Sequence, residues 1–297
     1  MSLDLRLTSE TPVILQGMER ETGRRWAEAM RRYGTRVAGW VSPPATDSAT
    51  DAATDADAGG LPVFPSCAEA LAATHAEACV SMVEPRLAAD AILEAADTGL
   101  RLIVSLTPGV PLHDAVRVRR RIRDLRTTLV GTGSSGIAVP AARVKLGSIP
   151  DHCLAPGRFA LVSASASLAS EAGYQMVQSG LGQSLYIDAG SHIVKGTPME
   201  DLPALLQADA ATEAVVFLGT PRGAGEEEFA GAMRRSGLMK PVFAYVAGHA
   251  LADGAFGGFW PPPGTPGLLP VAGKQAALEA AGAEVYNSLG ALIKALK

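Results

Sequence analysis

Short apolar runs alternate with longer segments of helical character along almost the whole chain, and this alternation narrows the choice of fold more than any other feature. VILQG (13–17) is followed by RRWAEAMRRYG (24–34), VAGWVSP (37–43), PSCAEALAATH (65–75), ACVSMV (78–83) and RLAADAILEAADTG (86–99). LRLIVSL (100–106), HDAVRVRRRIRDLR (113–126) and TLVGTG (128–133) continue the series. Strands separated by helices of ten or more residues are the signature of βαβ units and a parallel sheet. The turn-rich GSIPDHCLAPG (147–157) interrupts the series, which restarts with RFALVSAS, SLASEAGYQMVQSG, QSLYIDAG, MEDLPALLQAD, EAVVFLGT, EEEFAGAMRRSG and PVFAYVAG. The expected fold is therefore α/β, with two doubly wound domains at 1–155 and 156–297.

Two segments fall outside the alternation. PATDSATDAATDADAGG (44–60) repeats a Thr-Asp unit and holds no large apolar side chain, so it cannot bury apolar surface and is expected to form a mobile acidic loop. AGHALADGAFGGFWPPPGTPG (247–267) is dominated by Gly, Ala and Pro and reads as a long loop, a class of segment that often carries function.

Composition excludes several functions. At 47% hydrophobic and 19% charged residues with a net charge of -4, the chain reads as globular and lacks the basic excess of a nucleic-acid-binding protein. No apolar run reaches the ~18 residues of a membrane span, and MSLDLRLTSETPVILQG has no signal-peptide pattern. A cytoplasmic location is expected. Cys67, Cys79 and Cys153 are too few for a disulfide framework, and no CxxC or HxxxH spacing offers a metal site.

The strand ends carry the functional signal. Gly17 and Gly23 flank the start of a helix after the first strand, where glycines let the backbone approach a phosphate. The middle glycine of the dinucleotide fingerprint is missing and the second strand ends WVSPP rather than on an acid, which argues against NAD. VSPP (41–44), VEP (83–85), LTPGVP (106–111) and GTGSSG (131–136) all fall at the carboxyl ends of expected strands, the edge where open α/β sheets bind ligands.

With GWVSP (39–43), LPVF (61–64), GRFALVSAS (157–165), GLGQS (180–184), ATE (211–213) and KPVFAYVAG (240–248), these motifs appear in the order and register of the α subunit of succinyl-CoA synthetase, and the chain resembles that family over nearly its whole length. The resemblance implies an N-terminal Rossmann-like CoA-binding domain and a C-terminal flavodoxin-like ligase domain. It implies a small-molecule carboxylate substrate, and an ATP-grasp β subunit that supplies the ATP and Mg site within a heterodimer or heterotetramer. Carried over residue by residue, Gly17, Gly23, Ser42, Pro43, Val83, Pro85, Thr107 and Pro108 line the CoA groove, and Ser165 with Ala166 begins the helix that receives a phosphoryl group.

The departures from the family lie where its chemistry occurs. The slot of the phosphorylated histidine falls on Phe259, which cannot accept a phosphoryl group, and Thr220 stands where the family has the glutamate that contacts that histidine. The Ser-Gly pair at the phosphate helix is Ser165-Ala166, and the lysine after SP is replaced by the aspartate repeat. His249 and His192 are the weak candidates for a replacement nucleophile. Coordinated loss of histidine and glutamate points to loss of the phosphohistidine step. The expected function is an α-like subunit of an acyl-CoA-synthetase-type ligase that passes an acyl phosphate directly to a thiol or amine. The alternatives are a non-catalytic CoA-binding or scaffolding homologue and a histidine-independent carbamoyl or acyl transferase subunit.

Overall fold

The computed structural model describes residues 5–42, 59–221, 223–248 and 269–297. The acidic segment 44–58 and the stretch 249–268, with Pro43, His249 and Phe259, lie outside the described residues. The chain divides into two compact units. One ends at Ile149 and also takes in Gly190–Thr197, and the other comprises Pro150–Ala189 and Pro198–Lys297.

In the first unit, β1 (Val13–Gln16), α1 (Glu21–Tyr33), β2 (Val37–Val41) and β3 (Val63–Phe64) are followed by α2 (Cys67–Thr74) and β4 (Ala78–Ser81). Then come α3 (Ala88–Asp97), β5 (Leu102–Ser105), α4 (Leu112–Ile122) and β6 (Thr128–Val130). The strands form a six-stranded sheet in the order β3-β2-β1-β4-β5-β6, with every pair parallel. This is the doubly wound order whose direction of winding reverses between β1 and β4. Helices cover both faces, so the strands are apolar on both sides, as the unbroken runs VILQ, ACVS and LIVS show. On one face Ile14, Cys79, Ile103 and Leu129 lie in one rung of the register and pack against Ala70, Ile92, Val118 and Ile122 of the helices.

Residues 136–147, which the alternation leaves unassigned, form an antiparallel hairpin of β7 (Gly136–Val139) and β8 (Val144–Gly147). Its runs IAV and VKL are too short for periodicity to register. Gly136 and Gly147 face each other at its open end, where a Cβ on Gly136 would lie 2.0 Å from the Leu146 carbonyl oxygen.

The second unit holds β9 (Pro156–Ser163), α5 (Ala166–Gln178), β10 (Gln183–Asp188), α6 (Leu202–Ala208) and β11 (Ala214–Gly219). These are followed by α7 (Gly225–Ser236), β12 (Val242–Val246), α8 (Val271–Ala280), β13 (Glu284–Tyr286) and α9 (Leu289–Ala295). Its parallel strands run β13-β12-β11-β9-β10, the flavodoxin order, with the reversal between β9 and β11. Phe217 of β11 stacks on Phe229 of α7 with ring centroids 4.3 Å apart.

Two motifs that carry the family resemblance hold this sheet together at its amino end. In GLGQS, a Cβ on Gly182 would lie 2.2 Å from the Pro156 carbonyl oxygen, and the Gln183 Oε1 accepts from the Ala155 N–H at 3.1 Å. The Ser184 hydroxyl meets that of Thr212, from ATE, at 2.8 Å.

Candidate functional site

At the reversal of the first sheet, two strand-end loops touch. Gly17 follows β1 with φ +87, and a Cβ there would lie 2.5 Å from the Met82 carbonyl carbon and 2.6 Å from the Val83 nitrogen, just beyond β4. Gly23, in the first turn of α1, is equally constrained, since its Cβ would fall 2.3 Å from the Gly17 carbonyl oxygen. The two glycines let the first helical turn close onto the loop, leaving the N-terminus of α1, which has no side-chain cap, at the sheet edge. Arg24 donates to the Glu19 carbonyl at 2.9 Å and holds the loop down. Burial pushes the Glu19 carboxyl above its ordinary value, against the lowering effect of a hydrogen bond from Ser42 beyond β2. The Thr107 hydroxyl, after β5, donates to the Val83 carbonyl at 2.7 Å. Gly17, Gly23, Ser42, Val83, Pro85, Thr107 and Pro108 thus lie on the loops and the helix start at the carboxyl ends of β1, β2, β4 and β5.

Behind Gly17 lies a residue that sequence reasoning passed over. Gln16 is buried, and its amide donates to the Cys67 thiol at 3.2 Å and the Ala91 carbonyl at 3.1 Å, while the Cys79 thiol donates back at 3.7 Å. Glu94 accepts from the Cys67 N–H at 2.8 Å. The neighbouring Cys67, and then burial, push the Cys79 thiol well above its ordinary value. Both cysteines are therefore buried packing groups. The signal was a lone polar residue closing an apolar strand immediately before the glycine.

Gly190–Thr197 lies along the loop that follows β6. The Ser191 N–H donates to the Gly133 carbonyl at 3.0 Å, the Gly196 N–H to the Gly131 carbonyl at 2.7 Å, and the Thr197 hydroxyl to the Leu129 carbonyl at 2.7 Å. His192 is spent on this arrangement. Its Nδ1 accepts from the Val194 N–H at 3.0 Å, and its Nε2 lies 3.1 Å from the Val110 carbonyl. Substituting His192 by alanine removes both contacts, with an expected cost of about 1–3 kcal/mol measured by thermal or denaturant unfolding. An unchanged unfolding midpoint would contradict that latching role.

At the reversal of the second sheet, Ser163 ends β9 and Ser165 caps α5. The Ser163 hydroxyl accepts from the Ser165 N–H at 3.0 Å and donates to the Leu218 carbonyl of β11 at 3.2 Å. The Ser165 hydroxyl accepts from the Leu168 N–H at 3.4 Å, and Ala166 opens a helix with no acidic residue in its first turn. A helix N-terminus of this kind suits an anion.

Across the crevice, the segment after β11 is held by a buried ion pair. The Thr220 N–H donates to Glu226 Oε1 at 2.7 Å, and Lys274 Nζ meets Glu226 Oε2 at 2.6 Å and the Gly223 carbonyl at 2.5 Å. The two side chains are 3% and 0% exposed. Burial pushes the Glu226 carboxyl above its ordinary value, against the pull of Lys274. A Cβ on Gly219 would lie 2.8 Å from Glu226 Cγ, so only glycine there lets the carboxylate fold over the strand end. EEE at the start of a helix reads as solvated charge, and nothing local sets the first glutamate apart. Among the described residues no helix is long and apolar enough to cross a membrane.

Residues 8–109 match the model of the CoA binding domain family. The chain is 36% identical over 256 residues to the malate–CoA ligase subunit alpha of Methylorubrum extorquens, covering 85% of this chain and 83% of that protein. It is 32% identical over 299 residues to the ADP-forming succinate–CoA ligase subunit alpha 1 of Archaeoglobus fulgidus, covering 100% and 98%. To a subunit of the ADP-forming sulfoacetate–CoA ligase of Bilophila wadsworthia it is 31% identical, covering 99% of each. Among solved structures it is similar in fold to ATP citrate lyase from Methanothrix soehngenii in complex with citrate and coenzyme A, with a TM-score of 0.81 and 20% identity. That match covers 98% of this chain and 50% of the lyase chain, so this chain spans half the length of that protein.

Proposed function

The chain belongs to the family of succinate–CoA ligase α subunits and related CoA ligase α subunits, and we propose that it is the α-type component of an ATP-dependent acid–thiol ligase that dispenses with a phosphohistidine. The observation that carries this reading is the meeting of Gly17 with Val83 at the reversal of the first sheet, inside the CoA-binding domain. A Cβ at that point would fill the place where backbone can approach a phosphate, so the residues fit CoA. Gly17, Gly23, Ser42, Pro43, Val83, Pro85, Thr107 and Pro108 hold it in this reading.

In this reading the site of ATP and Mg belongs to a separate ATP-grasp partner, where a carboxylate oxygen would take the terminal phosphoryl group of ATP and ADP would leave, giving an acyl phosphate. The thiolate of CoA, or an amine, then attacks the acyl carbon, the bond from that carbon to the phosphate oxygen breaks, and inorganic phosphate leaves. The helix start at Ser165 and Ala166 stabilises the charge on the departing group through its N–H groups. Phe259 in the slot of the family's histidine and Thr220 in that of its glutamate support a route without phosphoryl transfer to this chain.

Calorimetric titration with CoA and with desulfo-CoA tests the first part of the reading. Heat of binding is expected for both, because the contacts fall on the nucleotide end, and no heat for either in a folded sample would remove the assignment. With the partner present, ATP-dependent ligation is expected without phosphate bound covalently to this chain. A partnered complex that binds CoA yet turns over no ATP with any carboxylate would favour a binding or scaffolding homologue.

The aspartate repeat adds a prediction. It follows Ser42 in the chain and places four carboxylates where the family has a lysine. Replacing Asp47, Asp51, Asp55 and Asp57 by asparagine is expected to tighten CoA binding at low salt, with the gain shrinking as ionic strength rises. Equal affinity at every salt concentration would separate the repeat from the site.

A further inference from the structure

We propose that the buried pair Glu226–Lys274 is a positioning clamp that sets the phosphate affinity of the second unit's carboxyl edge, acting through the backbone after β11. The inference rests on the reading of that edge as the phosphoryl-binding one.

The crevice at the reversal has two walls. One is the start of α5, fixed by the Ser163 hydroxyl, which bonds both its own loop and the neighbouring strand. The other is formed by Thr220 and Gly223, between β11 and the start of α7 at Gly225. Two bonds from the ion pair hold that second wall, and a third joins the pair itself. Glu226 takes the Thr220 N–H, Lys274 takes the Gly223 carbonyl, and the two side chains meet each other at 2.6 Å.

Groups next to the pair meet the chain at Ala247 and at Leu269. The Ala247 N–H donates to the Gly219 carbonyl at 3.1 Å, the Leu269 N–H donates to Glu227 Oε1 at 3.2 Å, and Lys274 itself lies in the first turns of α8. A buried ion pair is a poor device for stability alone, because apolar residues of similar volume often do as well or better. Its hydrogen bonds to backbone, which apolar residues cannot make, are what the pair adds here.

That difference gives the test. The double variant Glu226→Met with Lys274→Met keeps the volume buried and is expected to melt above the Lys274→Met single variant. Inorganic phosphate, titrated by calorimetry and by phosphorus line broadening, is expected to bind it about tenfold or more weakly. The amide of Thr220 is expected to exchange faster, while the heat of desulfo-CoA binding stays unchanged. Gly219→Ala displaces the carboxylate while leaving both charges in place, and the same loss of phosphate affinity is expected, which serves if the double variant does not fold. A folded variant of either kind that binds phosphate as the wild type does would overturn the clamp. Failure of the wild type to bind phosphate would overturn the phosphoryl reading of the edge. The Thr220 exchange rate then decides the clamp alone, and an unchanged rate would refute it.

Discussion

Substituting Gly17 by alanine is expected to weaken CoA binding by about a hundredfold or more, because crowding at the site comes on top of a conformational cost. At φ +87 an L-residue is less stable than glycine by about 1–2 kcal/mol. In addition, the new methyl group would sit 2.5 Å from the Met82 carbonyl carbon. The backbone of Met82 cannot give way freely, because its N–H is bonded to the Gln16 carbonyl at 2.9 Å. The loops after β1 and β4 must then separate, and the surface that meets the nucleotide is lost with them. Gly99 supplies the control. It has the same φ of +87 with nothing within 4 Å of its hypothetical Cβ, so Gly99→Ala carries the conformational cost without the crowding and should leave CoA affinity intact. Equal losses in the two variants would trace the effect to global stability rather than to the meeting of the loops.

The second large effect concerns stability. Lys274→Met strands the Glu226 carboxylate where exposure is near zero, at an expected cost of about 3–5 kcal/mol, whereas Glu226→Met leaves Lys274 its longer contact with Glu227 Oε2 at 3.5 Å and costs less. Thermal unfolding of the second unit should drop by roughly 10 °C, and combining the two substitutions should restore it. The pair also has a pH signature. Burial raises the Glu226 carboxyl above its ordinary value, so the contribution of this group to stability is complete below the unfolded value and declines as pH rises through the folded one. As pH rises above the ordinary carboxylate range the wild type is therefore expected to lose stability relative to the double methionine variant. A difference between the two that grows in the opposite direction would mean that the attraction of Lys274 outweighs burial.

Much of the architecture could be read in the sequence because parallel strands covered on both faces are short unbroken apolar runs, and VILQ, LIVS and AVVFLG announce themselves. Strand order could not be read that way, since periodicity says nothing about neighbours, and it came with the family resemblance. The hairpin of β7 and β8 escaped because its runs are too short and its pairing depends on glycines at the open end. The motifs themselves divide by position. Those at carboxyl ends, such as QG and VEP, converge at the reversal, whereas GLGQS and ATE are used at the amino end to join strands through Gln183, Ser184 and Thr212.

Three residues show where sequence reasoning ran out. His192 stands on the ligand edge, as its position after a strand indicated, but both ring nitrogens are engaged by backbone groups. Glu226 and Lys274 are 48 residues apart and each looks solvated in its own neighbourhood. Only tertiary packing makes them partners.

The strap Gly190–Thr197 also limits how such a protein can be taken apart. The chain passes from one compact unit to the other three times, at 149/150, 189/190 and 197/198. A recombination event or an engineered chimaera that exchanges the CoA-binding module by a single junction near residue 150 would pair it with a foreign strap, and the backbone bonds at Gly131 and Gly133 would have to be met by another sequence. Modular inheritance of the nucleotide-binding half is therefore expected to require a second, eight-residue graft, and chimaeras that carry 190–197 along with 1–149 should express as folded protein where single-junction ones do not.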